Sequence, residues 1–392
     1  MTNIAHPKKA SARRGGAMAL PETVALVLQG GGALGSYQAG VVERMADHDI
    51  EIDWIAGISI GAINGAIIAG NPPERRVERL RAFWECTTSA LPSFPFTPND
   101  RIREALHEWS ASYVALTGVP GFFTPRPISP GFAIPGSVEA TSFYDSAPLR
   151  KTLDDVVDWD LVNDGPVRLS VGATNVESGN FHYFDTKNER IDARHVMASG
   201  ALPPGLPPVE IDGCWWWDGG LVSNTPLSHL LDHQDDEMLV FQLDLFSATA
   251  DRPKTIMDVM AREKEIRYSS RTRQISAQMI KQRKEHETIR RLLAKLPPEL
   301  ADDRDAKRLA ALTRDAPVNL VHLIYRANAW EGGSRDFEFS RRTMEDHWRS
   351  GREAIDHALA NAQVIAETIG TGRSAAFDLE RRADPIQTRT KE

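Results

Sequence analysis

Five consecutive apolar residues, Val24-Ala25-Leu26-Val27-Leu28, lead through Gln29 into the glycine-dense stretch Gly30-Gly31-Gly32-Ala33-Leu34-Gly35. An apolar run closed by glycines predicts a strand buried on both faces, the kind found in parallel sheets. The next segments keep to that plan. Ser36 to Met45 predicts a helix with Tyr37, Val41 and Met45 on one stripe, and Trp54 to Ile58 predicts a second strand. Ile60 to Ala69, apolar and rich in small residues, predicts a helix pressed against the sheet and stopped by Gly70 and Pro72-Pro73. This βαβα order implies a parallel sheet covered on both sides. Further strands are predicted at Val167 to Ala173, Asn180 to Phe184, Met238 to Leu245 and Val318 to Tyr325.

The remaining segments differ in texture. Between positions 91 and 148 prolines recur, with Phe94, Phe96, Phe122, Phe123, Phe132 and Phe143 among them. A long irregular aromatic segment of this kind suits a lid or the wall of an acyl pocket, or a surface insertion packed on its own phenylalanines. From Lys254 to Leu296 the pattern turns helical and charged, with 14 Lys/Arg against 8 Asp/Glu between Arg262 and Arg308. A solvated helix pair laced with ion pairs explains that excess, and attraction to an anionic lipid surface is the sharper alternative. Thr343 to Thr368 predicts a terminal helix.

A chain of 392 residues holds one large α/β domain plus an extension, or two domains. The expected division is a disordered basic tail over 1–22, a catalytic domain over 23–246 that contains the 91–148 insertion, and a mostly helical extension over 247–392. The tail carries Lys8, Lys9, Arg13 and Arg14 without a following apolar core, so it does not read as a secretory signal. No stretch approaches the ~20 apolar residues of a membrane span. A cytoplasmic protein is expected, touching membranes peripherally if at all. A formal charge of -8 argues against nucleic acid as a partner. Cys86 and Cys214 are too few for a disulfide framework, and each is expected to be a small buried apolar residue.

Three motifs carry chemistry. Gly57-Ile58-Ser59-Ile60-Gly61 fits the G-x-S-x-G elbow, in which small residues on either side let a serine sit exposed on a sharp strand-to-helix turn. Gly30, Gly32 and Gly35 satisfy G-x-G-x-x-G after a strand, which is also the dinucleotide fingerprint. That reading requires an acidic residue closing the second strand; Asp53 precedes the strand instead, and a nucleophile turn follows it. The same glycines can instead converge amides on a developing oxyanion. Asp218-Gly219-Gly220 follows Trp215, Trp216 and Trp217, where partial desolvation would raise the carboxyl pKa and improve it as a base. The tryptophans and the 91–148 phenylalanines are candidates to meet an acyl chain or a bilayer. A Ser-His-Asp triad is the rival, with His229, His233, His286, His322, His347 and His357 downstream of Asp218. A non-catalytic binding module is a third reading.

Taken in order, these motifs resemble the patatin-like phospholipase family, bacterial members in particular, from about Val24 to Leu245. Ala198-Ser199-Gly200-Ala201-Leu202-Pro203-Pro204 and Asn224-Thr225-Pro226 resemble family segments as well. The resemblance implies a three-layer α/β/α sandwich with a mainly parallel sheet. It implies Ser59 as nucleophile, Asp218 as its partner in a Ser–Asp dyad, and Gly30, Gly31 and Gly32 as the oxyanion hole. Gly35, Gly57, Gly61, Gly219 and Gly220 would support those motifs. The activity implied is hydrolysis of lipid or other carboxylic esters, with no metal and no cofactor. In one departure, Leu34 stands where many members carry Lys or Arg, a cation able to assist a phosphorylated head group. The C-terminal third resembles an extension found in one bacterial subset.

Overall fold

Alternation along the first strand sets up two buried layers. β1 (Thr23–Leu28) sends Val24, Leu26 and Leu28 into one apolar cluster and Ala25 and Val27 into another, as a strand buried on both faces must. The computed structural model describes residues 13–15, 18–91, 99–250, 252–300, 302–328 and 330–378. After β1 come α1 (Ser36–Asp47), β2 (Trp54–Gly57), α2 (Ile60–Ala69) and α3 (Pro73–Thr87), close to the sequence expectation. The 91–148 segment is less irregular than expected. It contains α4 (Asp100–Thr117), capped by the Asn99 side chain accepting the Ile102 N–H at 3.0 Å. No proline falls between 99 and 119, so nothing breaks that helix. Phe94 and Phe96 lie outside the described residues.

Then come β3 (Arg168–Asn175), β4 (Phe181–Asp185), α5 (Ala193–Ser199), β5 (Val209–Ile211), β6 (Cys214–Asp218), α6 (Leu227–Asp232) and β7 (Met238–Asp244). The C-terminal region adds α7 (Ile256–Leu293), β8 (Val318–Ile324), α8 (Arg341–Leu359) and β9 (Ala375–Asp378). These nine strands form one sheet in the order β9-β8-β7-β1-β2-β3-β6-β5, with β4 on the other edge of β3. Pairs from β9 through to β3 are parallel, whereas β4, β5 and β6 run antiparallel. Helices α1, α2, α3 and α8 pack on one face; α6 and the middle of α7, through Met279 and Ile275, cover the other. The fold is a three-layer α/β/α sandwich.

The region beyond 247 is helical as expected and also completes the sheet. β8 pairs with β7 in parallel, and α8 lies along α1. That crossing is close: a Cβ on Gly351 would overlap the Tyr37 carbonyl oxygen, and one on Gly40 would overlap that of Trp348. Trp348 Nε1 donates to Glu43 at 2.8 Å, and Arg44 pairs with Asp356 at 2.6 Å. Of the expected N-terminal tail, residues 1–12, including Lys8 and Lys9, lie outside the described residues, while Arg13–Gly15 and Met18–Leu20 pair as short antiparallel strands. Both cysteines are exposed, contrary to expectation. Cys86 sits on the outer side of α3 and Cys214 comes directly after the turn that opens β6, so neither position faces a packed layer.

Candidate active site

One strand edge explains how residues far apart in the chain meet. β2 ends at Gly57 beside Val171 of β3, and β6 ends at Asp218 beside Ala173, two residues farther along. β4 occupies the opposite edge of β3 over the same residues, so β2 and β6 abut end to end on one edge. The chain leaves β2 at the point where β6 arrives, and Ser59 and Asp218 emerge together. Both line the same cavity, close enough that the Ser59 hydroxyl helps to lower the Asp218 pKa against the effect of burial.

Ser59 holds φ 55° and ψ -123°, a left-handed conformation that a residue with a side chain adopts at a cost. The elbow is fixed around it. Its N–H donates to Ser199 Oγ at 2.9 Å, and α2 begins at the next residue. A Cβ on Gly61 would strike the Leu28 carbonyl, which is why the tight turn needs glycine there. Gly57 and Gly35 are likewise crowded, by Gly61 and Ile60 respectively.

Asp218 is 2% exposed. Burial pushes its carboxyl up to about 7, against the opposing pull of hydrogen bonds from Gly220 N–H and Ser59. The Gly220 bond to Oδ1 is 2.7 Å. Gly219 allows the chain to pass close over Gly172 of β3. Tyr268, from α7, has its hydroxyl pKa raised by burial and then by the Asp218 charge, which puts that ring in the electrostatic reach of the acid.

The glycine loop is held by a buried amide relay. Gln29 Oε1 accepts the Leu245 and Phe246 N–H groups at 2.6 and 3.1 Å, and its Nε2 donates to Thr225 Oγ1 at 2.9 Å. Gln38 Nε2 donates to the Gln29 carbonyl at 2.7 Å; Asn64 in turn donates to Gln38 and to the Gly35 carbonyl, both at 2.9 Å. Asn224 Nδ2 donates to the Gly30 carbonyl at 2.9 Å. Every side-chain amide in this relay is paired, and the network holds the loop in place.

Gly30, Gly31, Gly32, Ser59, Asp218 and Gly220 line a single cavity of about 160 Å³. Gly35, Gly57, Gly61 and Gly219 stand behind it. Its walls are mostly apolar, with Phe122 and Phe123 from the 91–148 segment, Leu202, Leu206 and Phe246. Phe132 and Phe143 of that segment point to solvent, and none of Trp215, Trp216 or Trp217 lines the cavity; Trp216 packs on Phe184 at 5.0 Å. The C-terminal region supplies Lys264, Tyr268, Asp336, Phe337 and Phe339, none of which was anticipated from sequence. Ser199 and Asn224 belong to segments noted for their resemblance, but the roles of their side chains emerge only from the contacts above.

The downstream histidines are engaged elsewhere. His229 bonds Asp185 at 3.0 Å, His233 bonds the His229 carbonyl, and His286 bonds Asp315 at 3.0 Å. His322 lies 3.6 Å from Asp244, His347 lies 3.4 Å from Glu331, and His357 is exposed on α8. None of them lines the cavity. Asp53 accepts the Val24 N–H at 2.9 Å, at the start of β1, the strand end opposite the glycine loop. Among the described residues no group of three or more His, Cys, Asp or Glu is arranged to hold a metal ion.

Comparison with known proteins adds an independent line. A family model described as patatin-like phospholipase matches residues 26–231, and one described as patatin phospholipase matches 266–369. Lysophospholipase NTE1 of Scheffersomyces stipitis is 22% identical over 248 residues, which are 61% of this chain and 13% of that protein. An NTE family protein of Mycobacterium tuberculosis is 24% identical over 221 residues, 56% of this chain and 49% of that one. The chain therefore spans about half or less of the length of these relatives. Among solved structures, VipD from Legionella pneumophila is 15% identical with a TM-score of 0.34, covering 94% of this chain and 82% of that one. The structural likeness is loose.

Proposed function

The chain belongs to the patatin-like phospholipase family, and on that basis we propose that it is a serine acyl hydrolase cleaving carboxylic esters of lipids, of phospholipase A, lysophospholipase or esterase type. The observation that carries this reading is that Ser59, on its strained elbow, shares one cavity with Asp218, a buried carboxylate whose pKa is pushed to about 7. A carboxylate so poised can take a proton near neutrality, which an ordinary aspartate does poorly.

In the proposed reaction Ser59 Oγ attacks the ester carbonyl carbon while its proton passes to Asp218. The Gly30 N–H donates to the Asn224 carbonyl at 3.4 Å, so the amides of Gly31 and Gly32 are the ones proposed to hold the resulting oxyanion. The tetrahedral species collapses, the C–O bond to the alcohol breaks, and the Asp218 proton goes to the departing alkoxide. Water then attacks the acyl-serine, giving its proton to Asp218; that proton returns to Ser59 as the fatty acid leaves. The carboxylate is a weaker base than imidazole, so the loop carries more of the barrier; one oxyanion donor is typically worth about 10²–10³ in rate. The apolar walls at Phe122, Phe123, Leu202 and Leu206 suit an acyl chain.

The partners proposed are a lipid or other acyl-ester substrate and, peripherally, a membrane surface. Support for the second is the exposure of Ile128, Phe132, Ile134 and Phe143 on the segment that also supplies Phe122 and Phe123 to the cavity. No helix among the described residues is long and apolar enough to cross a membrane. Two exposed free thiols suit a reducing compartment, so a cytoplasmic location is proposed. The test is a panel of p-nitrophenyl esters and defined phospholipids, presented as monomers and as vesicles. Wild type should turn over at least part of it, faster on vesicles. Ser59→Ala and Asp218→Asn should each lose at least about 10²-fold, while single His→Ala changes stay mild. A tolerant Asp218→Asn with one inactive His→Ala variant would favour a triad, and equal rates on monomers and vesicles would remove the membrane contact.

A further inference from the structure

We infer that Lys264 reads an anionic group on the substrate, so that an acyl ester bearing a phosphate is preferred over its uncharged counterpart; this rests on the acyl-hydrolase reading and names the side chain that sets substrate class within it. Among the described residues, Lys264 is the one basic side chain lining the cavity that holds Ser59. It comes from the first turns of α7, outside the segment that carries the catalytic motifs. The position where the family resemblance would place a cation cannot serve: Leu34 is fully buried in the core.

The ammonium is held in place. Its Nζ lies 2.5 Å from Asp336 Oδ2 and 5.1 Å from the centre of the Phe337 ring. Asp336 is itself tied to the glycine loop, because its carbonyl oxygen occupies the space where a side chain on Gly32 would be. A cation is thereby anchored beside the loop that would polarise the ester. An ammonium has three donors; the hydrogen bond to Asp336 uses one, and the side chain lines the cavity with Ser59. In a cavity otherwise walled by phenylalanine and leucine, an anion placed there gains charge-assisted hydrogen bonds that a neutral alcohol cannot match. The bland alternative is a strut, an ion pair that merely ties α7 to the segment at Asp336. A strut fails whichever partner is removed. A reader of anions does not: taking away Asp336 removes a competing negative charge and should sharpen the preference.

The experiment compares a lysophosphatidic acid with the monoacylglycerol of the same acyl chain, using the full-length protein and reading the ratio of kcat/KM for the two. Wild type should favour the phosphorylated ester. Lys264→Met should cut the ratio about 10-fold or more, in keeping with the loss of a hydrogen bond to a charged group. Lys264→Arg should keep most of it, and Asp336→Asn should raise it. An unchanged ratio in Lys264→Met, no preference in wild type, or parallel losses in Lys264→Met and Asp336→Asn would each overturn the inference. Should Lys264→Met not fold, the rise or fall in Asp336→Asn decides alone. Ser59→Ala separates the two levels. If it still cleaves both esters, the catalytic reading falls and takes this one with it; if it is inactive and the Lys264→Met ratio holds, only this inference fails.

Discussion

At the scale of single residues, the site is built from costs that the rest of the molecule bears. Asp218 carries the largest. Its carboxyl is raised from 3.8 to about 7 by burial, so the folded chain holds a proton that the unfolded chain releases. Stability from this group is therefore fully present below about pH 4 and is lost as pH rises to about 7, by roughly 4 kcal/mol in total. Ser59 adds backbone strain at φ 55°. In the proposed mechanism the same pKa sets activity with the opposite sign, since only an ionised Asp218 can accept the Ser59 proton. On the acid side kcat/KM should climb with pH and level off through an apparent pKa near 7, read from initial rates on a soluble ester. A profile already level by about pH 5 would mean that the essential carboxylate titrates as an ordinary one, which contradicts the raised pKa assigned to Asp218. That Ser59, Asp218 and the loop Gly30 to Gly32 form turns that gather on one cavity could be expected from the sequence because turn chemistry is local: a tight elbow demands small neighbours, and a tight loop demands glycine. Ser199 and Asn224 act through contacts with Ser59 and Gly30 that span 140 and 194 positions, and no local pattern announces them.

At the scale of elements, legibility tracked the strength of the apolar pattern. β1, α1, β2 and α2 stand close to where the sequence put them, since each is apolar on the faces it buries, and all but α1 run into glycine at or just past their ends. α4 was obscured by the prolines on both sides of it, although Asn99 and a proline-free stretch mark its start and its extent. The β5–β6 hairpin was not expected: its strands are short, and its turn rests on Asp212-Gly213, both at positive φ, beside a tryptophan run without clear alternation. The α1–α8 crossing depends on glycine for close approach and makes a sharp prediction. Gly351→Ala should destabilise the fold by about 1–3 kcal/mol, the usual range for overpacking, because the new methyl meets the Tyr37 carbonyl and not a movable side-chain end. Chemical denaturation midpoints test this; a wild-type midpoint would show that the helices can part freely.

At the scale of the whole molecule, the C-terminal region is part of the site. β8 extends the sheet beside β7, α8 braces α1, and α7 with residues 336–339 closes the cavity over Ser59. Sequence periodicity identified β8 as a strand and α7 as a helix, yet their neighbours come from topology, which a single chain does not spell out. Everything proposed for this molecule turns on whether Ser59 is a nucleophile activated inside that cavity. The most direct measurement is reaction of the intact protein with a fluorophosphonate, followed by peptide mass mapping. One stoichiometric adduct is expected on the peptide containing Ser59, lost in Ser59→Ala and strongly slowed in Asp218→Asn. An adduct on another serine, or labelling that proceeds undiminished without the Asp218 carboxylate, would contradict it.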